Sequence, residues 1–274
     1  MVENLFAYVA LGCIGLVLLL LIFRQPYLGV VFTIATLPVI DLFPDIPLFS
    51  SIAVPLGLVT LVSYLFQSKG STKKRQKWLD PIYIFGLLFI FWTVISNPEA
   101  AIFGKDRVWI LTFVQLWILM LLSGELLSTP QRQKTAMLIF AVAAMISASF
   151  AIFQGDIAED AVSSARVAGL ATNANQAARY FVIALVFFYY LRTKTSSPFK
   201  KLIFLIGIFI TFIGVFFTVS RSGILLLFGA FGLILIFQPR VKNKVGAIIL
   251  LVAGLLVVSF FSDSIFRIIR DIFP

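Results

Sequence analysis

Stretches of 17 to 20 mainly apolar residues recur from one end of this 274-residue chain to the other. Each is about as long as a helix needs to cross the hydrocarbon of a bilayer. A soluble fold cannot hide so many such stretches at once. With 61% hydrophobic and 12% charged residues, the chain has too little polar material to cover them. A β-barrel would show short alternating segments, and none is visible. The expected fold class is therefore all-α: a polytopic integral membrane protein of about ten transmembrane helices. Helices are expected near 5–23, 27–43, 47–66, 81–97, 107–123, 135–153, 174–191, 202–219, 222–238 and 245–261. Residues 1–274 read as a single transmembrane domain, with 262–274 beginning an external loop.

The first apolar run follows "MVEN" directly, without a basic leader or a small-residue cleavage site, and reads as a retained helix. The single cysteine, Cys13, lies inside it and forms no intrachain disulfide. The chain contains no histidine, which removes the commonest acid/base group and metal ligand. No metal site and no cofactor are expected. The net charge of +10 reflects cytoplasmic loops rather than nucleic acid. Of the 22 Lys and Arg, 15 fall at "QSKGSTKKRQKW", "RTKTSSPFKK", "PRVKNK", "PQRQK" and Arg24, all on one side of the expected helices. That side is cytoplasmic by the positive-inside rule. Both termini, Arg166 and Arg221 then face out. The closing "SIFRIIRDIFP" spaces its apolar residues as a short amphipathic helix lying in the outer interface.

Between Lys201 and Arg240 the only ionisable side chain is Arg221, close to the middle of a 38-residue run. At about 1.5 Å per residue, each half of that run spans one hydrocarbon thickness. Arg221 thus sits at the tip of a tight outward hairpin. An arginine there could simply end a helix and snorkel to water. Its neighbours suggest more. Ser220 or Ser222 can cap the following helix, whose electropositive N-terminus attracts oxyanions. A guanidinium fork beside it suits phosphate oxygens.

The loop before the seventh helix reads "SARVAGLATNANQAARYF". Arg166 and Gly169 precede "TNAN", where Thr172 or Asn173 can cap the helix. Asn175 and Arg179 are four apart and share a face. Arg179 lies deep enough to face a cavity or a partner. Pairing with Asp156, Glu159 or Asp160 is the other reading.

"RVAGLATNANQAARY", followed some forty residues later by "TVSRSG", resembles the O-antigen ligase and O-antigen polymerase family. That family shows an Arg-x-x-Gly segment, an Asn-Pro-Asn-like helix start, and a Thr-x-Ser-Arg turn in the next outward hairpin. The resemblance covers most of the chain. It implies transfer of a glycan from an undecaprenyl-pyrophosphate donor to an acceptor hydroxyl on a glycan or lipid, at the outer (periplasmic) face of the bacterial cytoplasmic membrane. It gives Arg166 and Arg221 the catalytic role of contacting the pyrophosphate and makes Asn173 and Asn175 the helix-start asparagines; beside them Arg179, Ser220 and Ser222, read from their own positions, are expected to bind the substrate. Position 174 is alanine where the family often has proline, which only presets the first turn. The family continues into a long external loop carrying a histidine. This chain has none and ends at Pro274, so it is expected to be truncated before that loop. No Asp-x-Asp motif is present, and the transfer implied is metal-independent.

Two other classes fit the composition. One is a multi-pass transporter of a small anion such as bicarbonate, a role assigned to some relatives of that family. Such a protein should carry polar residues and broken helices near the midplane. Here the polar residues gather at the outer ends. The other is a non-catalytic remnant.

Overall fold

The computed structural model describes residues 15–43, 52–68, 80–96, 107–153 and 167–237, together with Gly246. Helices follow in the order α1 (Gly15–Arg24), α2 (Pro26–Thr36), α3 (Ala53–Ser68), α4 (Pro81–Ser96), α5 (Arg107–Leu126), α6 (Pro130–Phe153), α7 (Ala174–Lys194), α8 (Pro198–Phe217) and α9 (Arg221–Phe237). No strand occurs among the described residues. The fold is all-helical, as the apolar patterning predicts. The tenth expected helix at 245–261 and the amphipathic end at 262–274 lie outside the described residues, as do Cys13 and Arg166.

Among the described residues two helices, Pro130–Phe153 and Pro198–Phe217, are long and apolar enough to cross a membrane, fewer than the ten spans expected; six shorter helical stretches are apolar as well. The second expected helix differs from its reading. It is expected near 27–43, where Pro38 and Pro44 crowd its end; the α-helix stops at Thr36 and continues as a 3-10 segment, Leu37–Leu42. Pro38 is the cause. It lacks an N–H, and its ring clashes with the carbonyl four residues back. Val39 leaves helical geometry at φ −126°.

The chain divides into two compact units. The first comprises residues 1–34 and 45–136. Within it α4 lies on α5: the Trp117 indole N–H donates to the Tyr83 carbonyl at 2.9 Å, and the rings of Phe89 and Phe113 meet edge to face at 5.3 Å. No residue of α4 is buried. Phe85, Phe91 and Trp92 are 69%, 63% and 70% exposed.

The second unit comprises residues 35–44 and 137–274. Its centre is α7, whose buried side chains include Ala174, Ala177, Ala178, Phe181, Leu185, Phe188 and Leu191, with Val182 and Ala184 beside them. That three-and-four spacing lays a continuous apolar stripe along the helix. Small residues let its neighbours come close. A Cβ on Gly207 of α8 would fall 2.7 Å from the Phe188 ring, and one on Gly214 would fall 2.8 Å from the Cβ of Ala148 on α6. This is the packing by which helices associate where no water drives them together.

Candidate anion-binding site

Two chain reversals in the second unit bring the sequence motifs together. The first leads into α7. Gly169 adopts a left-handed φ of +63°, and a Cβ there would lie 2.5 Å from the Ser147 carbonyl oxygen of α6. Only glycine meets both demands at once. The fully buried Ser147 hydroxyl accepts the Leu170 N–H at 2.9 Å, and the Leu170 carbonyl accepts the Asp41 N–H of the 3-10 segment at 3.1 Å. The loop is thereby pinned just before the helix starts.

Asn173 is extended, at φ −155° and ψ 157°, and caps α7: its Oδ1 accepts the Gln176 N–H at 2.8 Å. Its amide donates to Gln176 Oε1 at 3.3 Å, and Gln176 Nε2 donates to the Tyr180 hydroxyl at 2.7 Å. Of the two caps the sequence allowed, Thr172 and Asn173, the asparagine serves. A glutamine three places on is a capping-box signal that was readable in the sequence.

The second reversal joins α8 to α9 in three residues. Thr218 ends α8 by donating its N–H to the Gly214 carbonyl at 3.3 Å, while its Oγ1 donates to the Val215 carbonyl at 2.7 Å. Val219 then turns left-handed, at φ 49°. For a β-branched residue that conformation is rare and costs about 1–3 kcal/mol, held in place by its surroundings. It delivers Ser220 to the start of α9. The Ser220 Oγ accepts the Gly223 N–H at 3.1 Å, so Ser220 rather than Ser222 is the cap.

Ser220 is also where the two motifs meet. Its hydroxyl donates to Asn175 Oδ1 at 2.8 Å, across 45 positions of sequence. Ser222 Oγ lies 3.1 Å from Ser220 Oγ. A carboxamide oxygen only accepts, so the Ser220 proton is committed to Asn175 and Ser222 must be the donor of the pair. Just behind, α7 and α9 approach so closely that a Cβ on Gly223 would fall 2.4 Å from the Cβ of Ala178.

The N-termini of α7 and α9 are thus side by side, each carrying a partial charge of about +0.5. Arg221 is the first residue of α9 and is exposed. Arg179, also exposed, stands one turn along α7 from Asn175. Asn173, Asn175, Ser220, Ser222 and Arg221 therefore gather at one pair of helix ends, with Arg179 on the adjoining turn. Arg166 lies outside the described residues, as do Asp156, Glu159 and Asp160. Such an arrangement can hold a polyanion without a metal: backbone N–H groups, hydroxyls and guanidinium forks supply the donors. The reading from sequence missed the Ser147 clamp and the Val219 turn. No protein-family model, curated protein or solved structure matches the chain.

Proposed function

We propose that the chain is a multi-pass protein of the bacterial cytoplasmic membrane, with both termini outside. In this reading it binds an undecaprenyl-pyrophosphate-linked glycan at the outer face and passes the glycan to an acceptor hydroxyl, as in the O-antigen ligase and polymerase family. The observation that carries the proposal is the 2.8 Å hydrogen bond from Ser220 to Asn175. It unites the two segments on which the family resemblance rests, at the ends of two helices that both favour anions. The bilayer setting is supported by α4, which buries none of its residues. An apolar face of that extent is foreign to a soluble monomer.

In the proposed reaction the acceptor oxygen forms a bond to the anomeric carbon. The bond from that carbon to the pyrophosphate oxygen breaks, and undecaprenyl pyrophosphate leaves with the electron pair. The acceptor proton passes to water at the interface. Negative charge grows on the leaving pyrophosphate as the bond breaks. Arg221, Arg179 and the two helix ends stabilise it there, in a low-dielectric interface where fixed cations act strongly. Arginine suits the task because it does not lose its proton.

The test is transfer from purified lipid-linked donor by the full-length protein, comparing wild type with Arg221→Lys at equal membrane abundance. Lysine keeps the charge and loses the planar fork. Transfer is expected to fall on the order of 10²-fold, as when one transition-state donor is removed. Undiminished transfer by the lysine variant overturns the clamp and leaves Arg221 as an interfacial marker.

A further inference from the structure

The first unit holds a polar cavity that the glycan-transfer reading does not use. The α1–α2 junction, the last turns of α3 and the α5–α6 junction close around about 250 Å³. At about 30 Å³ per water that is room for roughly eight waters, ample for a phosphoryl group and part of its hydration. Its lining includes Arg24, Gln25, Tyr27, Tyr64, Gln67 and Arg132, and among the described residues none that lines it is acidic. Its polar part is thus two guanidinium groups, two carboxamides and two phenols, beside Pro26 and Leu126, with no counter-charge among the described lining residues.

The walls are built to hold that shape. The buried Ser63 hydroxyl donates to the Ile22 carbonyl at 3.0 Å, and Gln67 Nε2 donates to the Phe23 carbonyl, tying the end of α1 to α3. Arg132 is fixed on two sides. Its Nη1 donates to the Leu126 carbonyl at 3.1 Å, closing the end of α5, and its guanidinium lies 4.8 Å over the Tyr27 ring. A guanidinium has five N–H donors, so these contacts leave several for a ligand. Held this way it loses little freedom on binding. Arg24 stands exposed at the mouth.

We propose that this cavity binds a phosphate group, presented by an anionic phospholipid of the cytoplasmic leaflet. The phosphate chemistry follows from the lining alone. The lipid source rests on the membrane reading above, in which Arg24 and the "PQRQK" segment belong to the basic, cytoplasmic side.

The test uses full-length protein in neutral detergent and follows its thermal unfolding. Phosphatidylglycerol, phosphatidylcholine or inorganic phosphate is titrated in separate arms. Phosphatidylglycerol is expected to raise the midpoint saturably, and phosphatidylcholine to do so much less. Arg24→Gln should weaken the apparent affinity for phosphatidylglycerol roughly tenfold, the loss of one charged hydrogen bond. Arg24 sits at the mouth, so this variant keeps the Arg132 contacts with Leu126 and Tyr27. Arg132→Gln should weaken binding at least as much, and Arg24→Gln decides the matter if Arg132→Gln does not fold. Protection by inorganic phosphate with the same Arg24 dependence supports the site and assigns it a soluble source. A wild type and an Arg24→Gln variant that respond alike in every arm overturn the proposal. No glycan transfer is read in this experiment, so its failure is distinct from failure of the reaction proposed above.

Discussion

Ser220 carries more than its size suggests. One hydroxyl caps α9, accepts from Ser222 and donates to Asn175, and the residue is 1% exposed. Removing it leaves the Gly223 N–H and Asn175 Oδ1 without that partner, a loss typical of a capping residue at about 1–2 kcal/mol. Asn175→Ala removes only one of those bonds and is expected to cost less. Because both variants break the same bond, the double variant should be less destabilised than the sum of the singles by about 0.5–1.5 kcal/mol. Denaturant unfolding of the four proteins in detergent measures this, and strict additivity would show that the bond does not hold the helix ends together. Little of this was legible beforehand. The sequence allowed Ser220 or Ser222 as the cap, because both adjoin the helix start. The choice depends on Val219 turning left-handed, which no propensity for valine foretells. At α7 the sequence likewise left Thr172 or Asn173, although Gln176 three places after Asn173 is a local pattern that favours the asparagine.

At the scale of elements, glycines separate contact from open space. Gly223 and Gly229 both lie in α9, yet a Cβ on the first meets Ala178 at 2.4 Å and one on the second meets nothing within 4 Å. Gly223→Ala is expected to lower thermal stability, since two helix backbones must part to admit a methyl. Gly229→Ala should leave it unchanged or raise it, as alanine favours helix over glycine by about 1 kcal/mol. Melting curves of the two variants under one detergent condition check this, and a matched loss in both would mean the α7–α9 contact does not matter. Helix positions were legible because long apolar runs are one-dimensional signals, but the starts expected at 135 and 202 fall inside helices that begin at Pro130 and Pro198. The clamp on Gly169 was not legible. Ser147 lies mid-helix, where serine often bonds its own helix, as Ser149 does with the Met145 carbonyl. Only the fold reveals that Ser147 instead holds a loop 23 positions away.

For the whole molecule, the asymmetry of Lys and Arg sets the expected orientation, and orientation decides which side of the membrane the proposed Arg221 site would face. With Cys13 replaced, single cysteines within "KGSTKKRQK" should react with an impermeant thiol reagent only from the cytoplasm. A cysteine at Ser222 should react only from outside. Reaction of both from one side would overturn the expected topology, and the exchanged pattern would remove the proposed site from the outer face. Charge asymmetry was legible because it sums over many residues and tolerates errors in any helix boundary. The close approach of α7 and α9 was not, because it depends on which faces meet.

The stripe of buried residues along α7 also bears on the order of events during synthesis. That helix leaves the ribosome before α8 and α9, the two partners whose glycines fit against Phe188, Phe181 and Ala178. The twenty residues of α8 take roughly one to four seconds to make at about 5–20 residues per second. Through that interval the face lacks both partners, while the polar first turns with Asn175, Gln176 and Arg179 have no finished site to occupy. In the membrane reading proposed above, a nascent α7 depends on the insertion machinery or on lipid for its shelter. Its final seat is made only when the following hairpin arrives and the third helix of the trio, α9, brings Ser220 against Asn175.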